Sequence, residues 1–171
     1  MFNRILEGRT AWLLVGVVAG LCLAYFWPHE PVLATATDRN DKFAIVTAPV
    51  EQDGSLEAVF VLDFLTGRLS GAVLNKQGTG FGALYFRNIA SDFKIDPEQT
   101  SPKYAMVSGR AFLQQRGGAQ WGASTLYVSE LASGMVACYR IPYVTVNRKV
   151  AKPVELVPLD NFPFRAPAQS E

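Results

Sequence analysis

From Lys42 onward the chain alternates short β-branched and aromatic runs with clusters of turn residues, a pattern that predicts strands. Lys42–Val50, KFAIVTAPV, is the first, and EQDGS at Glu51–Ser55 supplies a turn with an Asp-Gly pair. Leu56–Phe64 is the next strand, Thr66 and Gly67 turn the chain, and Leu69–Asn75 returns. KQGTG at Lys76–Gly80 turns it again, and Phe81–Ala90 completes a four-strand meander. Ile89–Pro102 reads mostly as a connection with room for one short helical turn.

The pattern then restarts. KYAMVSG at Lys103–Gly109 matches KFAIVTA at Lys42–Ala48 in character at each position, at an offset of 61. TLYVSE at Thr125–Glu130 matches AVFVLD at Ala58–Asp63 at an offset of 67, which places an insertion within Leu113–Ala123. The implied units are about 42–90 and 103–150, two copies of one meander. Ala58, Phe60, Leu62 and Phe64 interleave with Val59 and Val61, and Met135, Ala137, Tyr139 and Ile141 interleave with Val136 and Cys138. With both faces apolar, both are expected to be covered, as in a sandwich, a small barrel or neighbouring propeller blades.

Each copy carries the same turn chemistry. Asp63 ends a strand with a carboxylate able to accept from the backbone N–H groups that follow. Thr66 repeats this more weakly, and Gly67 supplies the positive φ of a short hairpin loop. Glu130, Ser133 and Gly134 keep the set in looser form, so all six are assigned structural turn roles. FVLDFLTGRL, Phe60–Leu69, resembles the inner hairpin of bacterial β-propeller repeats of the quinoprotein type. That resemblance implies blade-like packing and a small-ligand or cofactor-binding relative. Against it, propellers typically have four to eight blades where this chain offers two, and no tryptophan closes the repeat after Leu69 or Val136.

Ahead of the β region, Ala11–Trp27 holds no charged residue, and Arg4 and Arg9 precede it. At about 1.5 Å per residue this run just reaches the length of a membrane-spanning helix. Trp12 at one end and Tyr25, Phe26 and Trp27 at the other suit the two interfaces. The expected layout is a cytoplasmic stub at 1–10, a transmembrane signal anchor at 11–27 in contact with the lipid bilayer, and a tether at 28–41. The β domain at 42–152 follows, then a proline-rich tail at 153–171 that lies extended along a surface or edge. The layout is similar to that of small membrane-anchored bacterial envelope proteins, with the β domain periplasmic. The alternative is secretion after cleavage near Ala36, because Ala34, Thr35 and Ala36 fit a small-x-small site. The fold class expected is therefore mainly β, a transmembrane helix followed by an antiparallel domain of two duplicated meanders.

Composition narrows the function. Formal charge is +1 with acids and bases interspersed, which gives no argument for nucleic acid. His29 is the single histidine and lies beside the apolar run, and Cys22 and Cys138 are far apart in sequence, so neither a histidine triad nor a metal cage is expected. Cys138 would be a reactive thiol only if Arg140 lowered its pKa. No catalytic residues and no cofactor are assigned. GTGFG at Gly78–Gly82 reads as a plain hairpin turn. The inserted loop and its approach combine adaptable polar groups with a large ring, and Arg110, Gln114, Gln115, Arg116 and Trp121 are the candidate partner-binding residues. The expected role is a non-enzymatic interaction or assembly module that binds a protein partner or forms a homo-oligomer.

Overall fold

The computed structural model describes residues 2–26, 37–95, 102–111, 113, 120–145 and 152–165, with side chains of the first helix described at 12–23 and 25. The chain divides into two compact units, Met1–Leu33 and Ala34–Glu171. The first is α1 (Phe2–Phe26), whose described side chains, Trp12 to Leu23 and Tyr25, are all exposed. Among the described residues no helix is long and apolar enough to cross a membrane. The candidate cleavage site at 34–36 and most of the expected tether lie outside the described residues.

The second unit is mainly β, in two mostly antiparallel sheets. The first sheet holds β1 (Thr37–Arg39), β2 (Phe43–Pro49), β3 (Glu57–Asp63), β4 (Arg68–Leu74) and β5 (Phe81–Asn88) in that order. Thr37–Arg39, expected within the tether, instead adds an edge strand to β2. β5 ends at Asn88 because that side chain caps α2 (Ile89–Asp92), accepting from the Ser91 N–H at 3.3 Å. The second sheet holds β6 (Tyr104–Arg110), β7 (Trp121–Glu130) and β8 (Met135–Pro142).

The proline-rich tail joins the two sheets. β9 (Val154–Glu155) pairs parallel with β5, Leu156 is buried, and β10 (Val157–Pro163) pairs antiparallel with β8. Its prolines sit on an edge strand, where a missing N–H is tolerated. β10 is thus the fourth strand of the second meander, a strand the sequence reading of 103–150 did not include. Gly67 accepts the N–H of Ile89 at 2.8 Å just beyond β5, and Gly134 accepts that of Phe164 at 2.8 Å just beyond β10. The two units are β2–β3–β4–β5 and β6–β7–β8–β10.

One core serves both sheets, with Val46, Phe60, Leu62 and Leu69 from the first meeting Met106, Leu126, Val128 and Tyr139 from the second. The expectation that strands are covered on both faces is overturned. In β3, Ala58, Phe60 and Leu62 are buried whereas Val59 and Val61 are half-exposed, and β8 alternates in the same way. The reason emerges when equivalent positions are compared. Phe60 is buried, and its equivalent Tyr127 faces out. Val61 faces out, and its equivalent Val128 is buried. Val46 and Ile45 exchange burial with Val107 and Met106 in the same manner. The copies therefore stack front to back: one turns its first face inward, the other its second. Each face is apolar because each is needed inside once.

The sheets approach most closely at their first strands, β2 and β6, where Ser108 Oγ donates to the Thr47 carbonyl at 2.6 Å. Ala44 and Ala48, both fully buried on β2, keep this junction narrow. Toward β5 and β10 the sheets separate, and α2 fills the gap. There Arg87 Nε and Nη2 donate to Asp92 at 2.8 and 2.5 Å, Tyr139 Oη donates to Asp92 Oδ2 at 2.9 Å, and Arg87 Nη1 reaches Glu155 at 2.7 Å. This polar clamp ties β5, α2, β8 and β9 together across the wide side of the wedge.

Candidate functional site

The turns come first, because they fix the strand ends that carry every exposed face. Asp63 Oδ1 accepts the Leu65 N–H at 2.9 Å, Asp63 Oδ2 accepts the Thr66 hydroxyl at 2.8 Å, and Thr66 Oγ1 accepts the Arg68 N–H at 3.3 Å. In the second copy Glu130 accepts the N–H groups of Ala132 at 2.9 Å and Ser133 at 2.6 Å, while Ser133 Oγ accepts that of Met135 at 3.3 Å. Gly67 and Gly134 take φ of 64° and 65°. All six residues are thus bound into their own hairpins, where they organise backbone.

Glu130 is fully buried. Burial alone would raise its carboxyl, but the N–H bonds from Ser133 and Ala132 outweigh it and hold the group below its ordinary 4.5. A carboxylate lowered by folding stabilises above its unfolded pKa and loses that contribution as pH falls through the folded one. Glu130→Gln is therefore expected to unfold at lower denaturant than the parent at pH 7, by about 1–2 kcal/mol, with the difference shrinking below pH 4. Paired denaturant titrations at the two pH values check this.

Of the residues assigned to partner binding, Arg110 and Trp121 converge on the turn between β2 and β3. Arg110 Nη2 donates to the Gln52 carbonyl at 3.3 Å, and Trp121 is half-buried with the Arg140 guanidinium stacked 4.2 Å from its ring. Trp121 borders a hollow of about 400 Å³ whose other side holds Glu51, Lys76 and Tyr143. Lys76 bonds Glu51 at 2.8 Å and lowers its carboxyl pKa. Gln114, Gln115 and Arg116 lie outside the described residues. Burial raises the Cys138 thiol and Arg140 offsets this only weakly, so the side chain is a small half-buried residue of the outer face and no activated thiolate. Among the described residues no three His, Cys, Asp or Glu side chains gather as metal ligands.

Two features stand out that were not assigned from sequence. One is a cleft of about 620 Å³ on the wide side of the wedge, with Asp92 and Tyr139 at its polar end and Phe93, Met135 and Leu159 along its walls. Burial and the Asp92 carboxylate push the Tyr139 hydroxyl far above its ordinary pKa, so it stays a hydrogen-bond donor. The other is the pair of outer sheet faces. On the first sheet one row runs Ile45, Val61, Ser70, Phe86 and the next Thr47, Val59, Ala72, Leu84. On the second, Val107, Tyr127 and Cys138 form one row, and Ala105, Ser129, Val136 and Phe162 another. The first face is half-exposed along Ile45, Val59, Val61, Leu84 and Phe86, and the second is more open, with Val107 at 52% and Phe162 at 56% exposure.

The signal for these faces was present in the sequence, as matched residue types at both parities of the repeat, Phe43 with Tyr104 and Val46 with Val107. Compared with known proteins, the chain matches no family model, no curated protein and no solved structure.

Proposed function

We propose that this chain is an assembly module of a bacterial envelope. Its N-terminal helix is the anchor in the inner membrane, and its β domain stands on the periplasmic side and docks on protein through its outer faces. One observation carries the reading. A domain with a complete core of its own keeps two apolar sheet faces in solvent, and contiguous exposed apolar surface of this kind marks interaction sites. The uncharged run from Ala11 to Trp27 and the exposed side chains of α1 support the anchor, with a soluble form cut near Ala36 as the alternative. The cleft above Asp92 and Tyr139 favours a second reading, a small-ligand site, because its size and mixed lining suit one.

A photo-crosslinking residue placed at Val61 or Val107 in membranes is expected to yield protein adducts at both positions. The same residue at Thr79, on an exposed turn, is expected to yield none. Adducts at neither face would sink the assembly reading and leave the cleft as the place to look.

A further inference from the structure

Resting on that reading, we infer that the partner of these faces is a second copy of this chain, stacked head to tail so that the junction inside one molecule is repeated between molecules. The argument is the exchange of burial between the two meanders. The outer face of the first sheet is the equivalent of the inner face of the second: Phe43, Ile45, Val59 and Val61 stand for Tyr104, Met106, Leu126 and Val128. The outer face of the second is likewise the equivalent of the inner face of the first: Ala105, Val107 and Tyr127 stand for Ala44, Val46 and Phe60. The two outer faces are therefore complementary to each other in the way the two inner faces are, whereas neither is complementary to itself. Such an interface is heterologous, and it closes into a ring when the rotation permits.

The internal junction also says which residues meet. Inside the chain the Phe64 and Tyr104 rings lie 5.6 Å apart. Their equivalents are Leu131 and Phe43, which are 43% and 38% exposed. Beside Leu131 a hollow of about 110 Å³, bordered by Ala105, Ser129 and Phe164, is open to receive the Phe43 ring of the next copy. The sheets approach at β2 and β6 and diverge toward β5 and β10, so each junction adds a wedge, and wedges stacked in one sense curve into a closed array. Rings of wedge-stacked sheets hold roughly four to eight, which at two per chain corresponds to about two to four copies. Cyclic symmetry sets every chain start on one face of the ring, as anchors in a single bilayer require.

The test uses the full chain in detergent or nanodiscs, with Cys22 and Cys138 replaced by serine. Phe43→Cys and Leu131→Cys chains, co-expressed and treated with a short bis-maleimide, are expected to give a mixed dimer at least tenfold above either variant expressed alone. The double variant is expected to ladder to the ring size and stop, matching the native mass of the unmodified chain. Both positions are exposed, so folding is preserved. A defined oligomer in which Phe43→Cys crosslinks to itself would overturn the head-to-tail arrangement while leaving an assembly module. A monomeric native mass with no crosslink would overturn it too. Adducts from Val61 and Val107 to a different protein would then show that the broader reading survives.

Discussion

Truncating Phe60 to alanine is expected to cost about 3–5 kcal/mol of unfolding free energy, whereas the same truncation at its repeat equivalent, Tyr127, is expected to cost about 1 kcal/mol or less in the isolated chain. Phe60 is fully buried, stacks at 5.7 Å on Tyr85, and fills the space over Gly71, where an added Cβ would come within 2.4 Å of its ring. Nothing nearby can collapse into the void, because Gly71 has no side chain and Leu62 and Leu69 are already packed. Against a typical total of about 5–15 kcal/mol, that loss leaves the domain marginal. Tyr127 is 36% exposed on the opposite side of its sheet and lies over Gly109 there. Denaturant titration of both variants at high dilution checks the pair. Equal losses would mean that the two copies present the same face to the core, contrary to the front-to-back arrangement. At higher concentration the Tyr127→Ala variant is expected to lose whatever stability the parent gains by association, since mass action stabilises only the chain that can bind.

How much of this was legible beforehand follows from the same residues. Hairpins announce themselves locally: Asp-Gly at 53–54, Thr-Gly at 66–67 and Ser-Gly at 133–134 sit between β-branched runs, so strand positions and the duplication could be read directly. What could not be read was which face of each copy turns inward. Val59, Phe60, Val61 and Leu62 look alike in apolarity, and burial on both sides was the natural inference from a run without polar alternation. Only packing separates them, because front-to-back stacking buries one alternate set of repeat positions in the first copy and the complementary set in the second. The fourth strand of the second unit was hidden for another reason. Pro158 and Pro163 argue against a central strand and do not exclude an edge, and the pairing of Val157–Pro163 with β8 depends on a long-range contact no local pattern encodes. The polar clamp has no local signature either: Arg87, Asp92, Tyr139 and Glu155 meet only when α2 and β9 fold against β5 and β8.

Gly67→Ala is expected to cost about 2–5 kcal/mol, clearly more than Gly134→Ala at about 1–2 kcal/mol. Both glycines adopt left-handed φ, so an L side chain carries a backbone penalty at either site. The difference lies in what each Cβ would strike. At Gly67 it would come 2.5 Å from Ala90 Cβ and 3.0 Å from Ala90 N, in a buried segment whose neighbour Ile89 donates to the Gly67 carbonyl at 2.8 Å. Relieving that clash requires the start of α2 to move. α2 ends at Asp92, which holds both Arg87 and Tyr139, so a shift there also loosens the clamp on the wide side of the wedge. At Gly134 the obstacle is Arg165 Cβ at 2.8 Å, in an exposed segment beyond β10 that can yield without disturbing the core. Thermal melts of the two variants should rank them in this order. Equal melting temperatures would mean that the left-handed φ accounts for the whole cost and that the contact between the first turn and α2 contributes nothing to holding the sheets together.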